Sequence, residues 1–224
     1  MSFQHIALVG EESRRREFKE RLPELVLMYE GEIVPTQQQM TAADLLIDLN
    51  LDEHPARIPV YLQQEKLVVL GAALKQSLMQ MHARFQGEKQ ATLLGINALP
   101  TFLNRPVWEV SYLQESDLEL ARKLEASLGV EIQIVSDQVG MVTCRVLFLI
   151  INEAYIMVQE GTADADAIDT AMKLGTNYPK GPIAWSQEIG TEHVVDVLEA
   201  LYQETGSKRF MPSQALRRAT VLGH

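Results

Sequence analysis

Over roughly the first 137 positions, short unbroken apolar runs recur, each followed by a longer stretch of helical or polar character. His5-Ile6-Ala7-Leu8-Val9, Leu25-Val26-Leu27-Met28-Tyr29 and Asp44-Leu45-Leu46-Ile47-Asp48-Leu49 read as strands. Lys66-Leu67-Val68-Val69-Leu70, Thr92-Leu93-Leu94-Gly95-Ile96, Pro106 to Tyr112 and Glu131 to Val135 continue the series. Glu12 to Leu22, Leu74 to Phe85 and Ser116 to Leu128 carry helical spacing between them. A strand that is apolar at successive positions must be covered on both faces, and helical crossovers between parallel strands supply that cover. The expected fold class is therefore α/β, a Rossmann-like, mostly parallel sheet domain over residues 1–137 followed by an all-helical domain over 138–224.

No strand pattern is present after Val135. Val139 to Gly161 has helical length and one mostly apolar face, with Gly161 as its stop. Ala163 to Gly175 reads as a second helix; Pro182 opens a third, Thr191 caps a fourth that runs to Gly206, and Ser213 caps the last. The formal net charge of −10 argues against nucleic-acid and anionic-membrane partners, which are polyanions. The longest apolar run, Val146 to Ile151, is too short to cross a bilayer. The polar, acidic stretch after Gly10 does not read as a secretory leader, and the single cysteine, Cys144, suits a reducing cytoplasm. No H-x-x-x-H or C-x-x-C spacing offers a metal site.

A Rossmann domain holds a dinucleotide through a G-x-G-x-x-G turn after its first strand, where glycines let the backbone approach the pyrophosphate at a helix N-terminus. The corresponding stretch is Gly10-Glu11-Glu12-Ser13-Arg14-Arg15, with only the first glycine in place. Glu11 and Glu12 put carboxylates where phosphates would lie, although acidic residues also stabilise a helix start by themselves. Two features favour a ligand: Glu30 ends the second strand about 20 residues on, where an acidic group would bind ribose, and Arg14-Arg15-Arg16 could meet phosphate from the helix side. Gly10 and Glu30 are the candidate cofactor-binding residues.

The stretch Ala165-Asp166-Ala167-Ile168-Asp169-Thr170-Ala171-Met172-Lys173-Leu174-Gly175, followed by Tyr178-Pro179-Lys180-Gly181-Pro182, resembles the signature of the helical C-terminal domain of the 3-hydroxyacyl-CoA dehydrogenases. Asn152-Glu153-Ala154 and Leu198 to Gly206 fit the same domain. The resemblance is fair from Gly95 to Asp137 and only topological before that. It implies oxidation of the 3-hydroxyl of an acyl-CoA with NAD, a histidine base charged by a glutamate, and a serine and an asparagine that hold the substrate oxygen.

Gly95-Ile96-Asn97-Ala98-Leu99-Pro100 looks like the family's G-x-H-F-F-N-P stretch, with Asn97 in place of the histidine, and Trp108-Glu109-Val110 looks like the V-E-V that holds the glutamate. Leu70-Gly71-Ala72-Ala73-Leu74 matches the serine segment without a hydroxyl, and Gly140 to Arg145 puts Cys144 at the asparagine position. Of the catalytic candidates Asn97, Glu109 and Cys144, only Glu109 matches the family. An asparagine takes no proton near neutral pH. Cys144 on an apolar helix reads as a small buried thiol. His5 within the first strand, His54 after the third, His82 in a surface helix and His193 at a helix start have no recognisable second partner.

Only about a dozen residues separate Glu30 from the strand that follows Ala42, where the family has a helical pair that clamps CoA. The chain also ends at Leu222-Gly223-His224, short of the family's glycine-rich tail. The resemblance thus implies a 3-hydroxyacyl-CoA dehydrogenase-like protein that has lost activity. No cofactor is expected, NAD being the one that would bind if the family mode survives. A homodimer through the C-terminal helices is expected, together with an acyl-CoA-type ligand cleft lined by Met141, Phe148, Leu99 and Phe102. The alternatives are an active oxidoreductase with an altered site, and a structural or interaction subunit without a small ligand.

Overall fold

β1 (Ile6–Val9), β3 (Leu45–Asp48) and β4 (Val68–Ala72) are buried at every position, which is why their sequences carry no polar alternation apart from the final Asp48 of β3. The computed structural model describes residues 3–85, 87–88 and 90–222, so Gly223 and His224 lie outside the described residues. In chain order the remaining elements up to β4 are α1 (Glu12–Arg21), β2 (Leu27–Gly31), α2 (Gln37–Ala42) and α3 (Arg57–Leu62). After β4 come α4 (Leu78–Ala83), β5 (Thr92–Ile96), β6 (Val107–Ser111), α5 (Leu118–Leu128) and β7 (Glu131–Ile134). The helices α6 (Thr143–Gln159), α7 (Ala165–Thr176), α8 (Pro182–Ile189), α9 (Thr191–Thr205) and α10 (Gln214–Leu222) complete the described chain.

Two compact units result, residues 1–141 and 142–224; the boundary read from sequence lies at 137/138. The first is one seven-stranded sheet in the order β2-β1-β3-β4-β5-β6-β7, parallel throughout except for the antiparallel β5–β6 pair. The two edge strands, β2 and β7, are the ones whose burial alternates along the chain. Phe18 and Leu22 of α1 and Leu124 and Leu128 of α5 pack with Leu8, Ile47, Leu70 and Leu94 in one core, where the Phe18 and Trp108 rings lie 5.7 Å apart. Alternate strand positions point to opposite faces, and Ala7, Leu46 and Val69 are fully buried too, so both faces are covered. Each buried Leu or Ile side chain contributes roughly 1.5–3 kcal/mol.

The element boundaries depart from the sequence reading for identifiable reasons. The helix expected from Leu74 starts only after Ser77, which forms a capping box with Gln80, because the Leu74 and Lys75 amides donate to Asp52 instead, both at 2.8 Å. The helix expected from Val139 starts at Thr143, since Gly140 and Met141 have φ of 75° and 44°. Gly190, not Thr191, holds the cap position of α9. His5, expected inside the first strand, lies in the bend before it, where its backbone N–H donates to the Asp44 carboxylate at 3.1 Å. The second strand lies two residues later than expected, leaving Val26 exposed. Helices α2 and α3 were not expected; a Thr36–Gln39 capping box starts α2, and Pro59 sits within the first turn of α3, where a missing N–H costs nothing.

No strand occurs after Ile134 among the described residues. In the helical unit, Asp169 of α7 accepts the Ile183 and Ala184 amides at 2.8 and 2.9 Å, capping α8 from a neighbouring helix. The approach is so close that a Cβ at Gly181 would lie 2.2 Å from the Asp169 Cβ. Asn152 of α6 donates to the Met211 carbonyl at 3.0 Å and accepts the Ser213 amide at 2.7 Å, fixing the entry to α10, which Ser213 then caps through the Leu216 amide at 3.2 Å. Asp169→Ala is expected to lower unfolding stability by about 1–2 kcal/mol, because it leaves two helix-start donors without their acceptor, with Asp169→Asn keeping part of it. Denaturant midpoints of the three proteins check this.

Candidate functional site

The chain reverses its direction of strand addition at β1, which lies between β2 and β3. Ligands of open α/β sheets bind outside the carboxyl ends of the strands at such a switch point. Gly10 follows β1 with φ 154°. The Glu11 amide at the start of α1 donates to Asn50 Oδ1 at 2.9 Å, and Asn50 Nδ2 donates to Glu53 at 3.1 Å. Arg14 turns inward and is 1% exposed. Its guanidinium donates to the Leu49 carbonyl at 2.6 Å and to Glu53 at 2.7 Å. Lys75 closes on Glu53 from the other side at 3.2 Å.

Burial pushes the Glu53 carboxyl up, but the Arg14 charge and hydrogen bond, then Lys75, outweigh it and hold it down at about 2. Asp52, fully buried, has its carboxyl pushed up by burial against the bonds from the Lys75 and Leu74 amides. Beside them the buried Asp48 carboxylate takes Arg57 Nη1 at 3.1 Å and the Tyr61 hydroxyl at 2.9 Å. Burial, then that carboxylate, push the Tyr61 phenol up.

Glu30 lies within β2 and its carboxylate is already engaged. Lys19 Nζ donates to it at 2.9 Å and Arg15 Nη1 at 2.7 Å. The Lys19 hydrogen bond, opposed by partial burial and reinforced by the Lys19 and Arg15 charges, holds its carboxyl below the usual range. Arg15 Nε also donates to the Gly10 carbonyl at 2.8 Å. The arginine run therefore does not form the outward phosphate-facing row that the sequence suggested: Arg14 is interior and Arg15 is bonded within the fold.

Two of the three candidate positions, Asn97 and Glu109, lie at the antiparallel β5–β6 pair, and Cys144 lies in the helical unit. Asn97 follows β5 directly and is buried, with its Oδ1 accepting the Leu99 amide at 3.4 Å. Glu109 sits half-buried in the middle of β6. The register sets Ile96 opposite Val110, and Asn97 and Glu109 are the residues adjoining this last ladder pair. Ala72 and Ala73, at the serine segment, are buried, and the Ala73 amide donates to the Ile96 carbonyl at 3.1 Å. Cys144 is the second residue of α6 and fully buried, while Arg145 pairs with Glu204 of α9 at 2.9 Å. Leu99, Phe102, Met141 and Phe148 are all buried. Among the described residues no cluster of three or more His, Cys, Asp or Glu could hold a metal ion, and no helix is long and apolar enough to cross a membrane.

Residues 140–224 match the family described as 3-hydroxyacyl-CoA dehydrogenase, C-terminal domain. The helical unit, residues 142–224, lies entirely within the stretch that matches this family. The 3-hydroxyadipyl-CoA dehydrogenase of Escherichia coli (strain K12) is 41% identical over 88 residues, 39% of this chain and 18% of that protein. A probable 3-hydroxybutyryl-CoA dehydrogenase of Bacillus subtilis (strain 168) is 40% identical over 89 residues, 40% of this chain and 31% of that protein. The chain thus spans less than a third of the length of either relative. The crystal structure of (S)-3-hydroxybutyryl-CoA dehydrogenase from Ralstonia eutropha matches the fold with a TM-score of 0.78 at 19% identity, covering 99% of this chain and 95% of that one.

The NAD implied by this dehydrogenase fold does not fit the residues present. The amide of Glu11, the N-cap of α1, is bonded to Asn50, acidic residues occupy positions 11 and 12 at this helix start, and the Glu30 carboxylate is held by two cations. Asn50, Asp52 and Glu53 were passed over in the sequence; the sign available there was a cluster of polar and acidic residues, Asn50-Leu51-Asp52-Glu53, immediately after a buried strand.

Glu53→Gln tests the energetics of this dehydrogenase-like sheet end. A carboxyl whose folded value is depressed from 4.5 to about 2 stabilises fully above the unfolded value, and that contribution is lost as pH falls through about 2. At neutral pH the substitution is expected to cost on the order of 2–3 kcal/mol, and the difference from the parent protein should narrow as pH drops from about 5 to about 3. Urea unfolding across that range provides the measurement.

Proposed function

We propose that this protein is a 3-hydroxyacyl-CoA dehydrogenase-like scaffold that no longer carries out the dehydrogenase reaction. The observation that carries this reading is the residue at the end of β5: Asn97 directly follows Ile96, whose ladder partner Val110 is the neighbour of Glu109, and an asparagine there donates and accepts hydrogen bonds but takes no substrate proton. Loss of the base alone costs about 10²- to 10⁴-fold in rate, and the missing oxygen-holding groups at Ala72, Ala73 and Cys144 add to it. The retained Glu109 is the observation that favours the rival reading, an active oxidoreductase with an altered site.

Reduction of acetoacetyl-CoA by NADH is expected to be undetectable. Asn97→His alone should recover almost nothing, because groups that act as a unit are not additive. Turnover of a 3-hydroxyacyl-CoA by the parent protein at even about one per second, a rate within the ordinary enzyme range, would establish the rival reading.

The scaffold is proposed to pair with a second copy through its C-terminal helices. Val142, Val146 and Leu174 of this unit are exposed, and an open cavity of about 310 Å³ lined by Leu149, Ile150, Met157, Ile168 and Met172 adds apolar surface. Acyl-CoA is the ligand class carried in the relatives' names, and calorimetric titration with acetoacetyl-CoA tests whether this chain retains it. Sedimentation at micromolar concentration should give a dimer, and Leu174→Glu should shift it towards monomer. A clean monomer for the parent protein would refute the pairing.

A further inference from the structure

At the switch point of the sheet, where a dinucleotide would enter, the chain's own side chains take up the positions a ligand would use. The Glu11 amide is one of the helix-start donors that have no partner within the helix and that bind a pyrophosphate in dinucleotide folds. Here its acceptor is Asn50, which is 1% exposed. The space above Gly10 is filled as well: a Cβ there would lie 2.9 Å from the Leu49 Cβ and 3.1 Å from Asn50 Oδ1. The glycine is thus required by the close approach of the segment after β3, with no ligand needed to explain it. Arg14, in the first turn of α1, is sequestered by Leu49 and Glu53. Glu30, where ribose hydroxyls would bind, is closed by Lys19 and Arg15.

We propose that the Asn50–Glu53–Arg14 cluster is a built-in replacement for the dinucleotide. The Asn50 carboxamide takes the amide that a pyrophosphate oxygen would take, the Glu53 carboxylate supplies the anion that Arg14 faces, and the sheet end is closed in the cofactor-free protein. Three separate segments meet here, the turn after β1, the turn after β3 and Lys75 after β4, so the replacement binds together the ends of three neighbouring strands. A pyrophosphate would have to displace Asn50 from the Glu11 amide and bring further negative charge beside Glu11, Glu12 and Glu53. This inference is independent of whether catalysis has been lost, because it concerns equilibrium binding and amide protection in the resting chain.

The test uses the full chain and no turnover. Hydrogen exchange followed by NMR, with no ligand added, should show the Glu11 amide protected by about 100-fold or more relative to an unstructured peptide, whereas a helix-start amide without an acceptor exchanges nearly freely. Asn50→Ala should abolish that protection and lower the melting temperature by several degrees. NADH, titrated by its own fluorescence and by thermal shift, should give no saturable binding to the parent protein up to about 1 mM, since stabilisation follows RT ln(1 + [L]/Kd). A Glu11 amide that exchanges freely in the parent protein overturns the inference even if Asn50→Ala fails to fold. Saturable NADH binding to the parent protein with Kd below about 100 μM, equivalent to several degrees of stabilisation at 1 mM, overturns it equally.

Discussion

The parallel pairing of β1 with β3, in which Ile6 faces Leu45 and Val9 faces Asp48, determines what lies at the carboxyl end of the sheet. Strands buried on both faces leave no water to satisfy their backbone groups, so each must be hydrogen-bonded along its whole length, and the pairing runs on past the strands as the Leu49 amide bonds to the Val9 carbonyl at 2.9 Å. Once that bond is made, the next residue of each segment, Gly10 and Asn50, must be neighbours. A side chain of ordinary size at position 10 would collide with the β3 end, and a polar side chain at position 50 finds the Glu11 amide within reach. The charged cluster then follows from burial: Arg14 is sustainable in a dry site only with a carboxylate beside it, and Glu53 supplies that charge while itself flanked by Arg14 and Lys75.

The helical unit is held by a different device. Asp169 and Asn152 both lie in stretches that carry the family resemblance, and both act on backbone amides of a neighbouring segment. Their short side chains reach the unsatisfied donors at the starts of α8 and α10, so a local rule about helix ends is met by a residue distant in sequence. This gives the signature a structural meaning that does not depend on catalysis. Asp169, Gly181 and Asn152 can thus be required for packing alone.

Sheet topology brings Asn97, which follows β5, near Glu109 of β6, and among the described residues the β5–β6 pair is the one antiparallel pair in an otherwise parallel sheet. A base and its charging carboxylate need that adjacency, because a glutamate raises the basicity of its neighbour only at close range. Glu109 lies in the middle of β6, where Trp108 and Val110 on either side are buried and hold the strand in place.

The sequence by itself determined the α/β class, the strands and the change to helices after Val135, because continuous apolar runs and helical spacing are local patterns that burial imposes on neighbouring residues. It also made Asn97, Glu109 and Cys144 legible, through their place in stretches that resemble a family. It did not reveal α2, α3 or the late start of α4, where short elements depend on capping boxes and on Asp52 capturing the Leu74 and Lys75 amides. The sequence suggested that Arg14 could meet phosphate from the helix side, whereas its guanidinium is turned inward to Leu49 and Glu53. Only the tertiary structure decided that Arg14 is interior, that Asn50 occupies the Glu11 amide and that Glu30 is already paired. The partners of Glu11 and Arg14 lie 39 and 35 positions away in the chain, and nothing but the pairing of β1 with β3 brings them together.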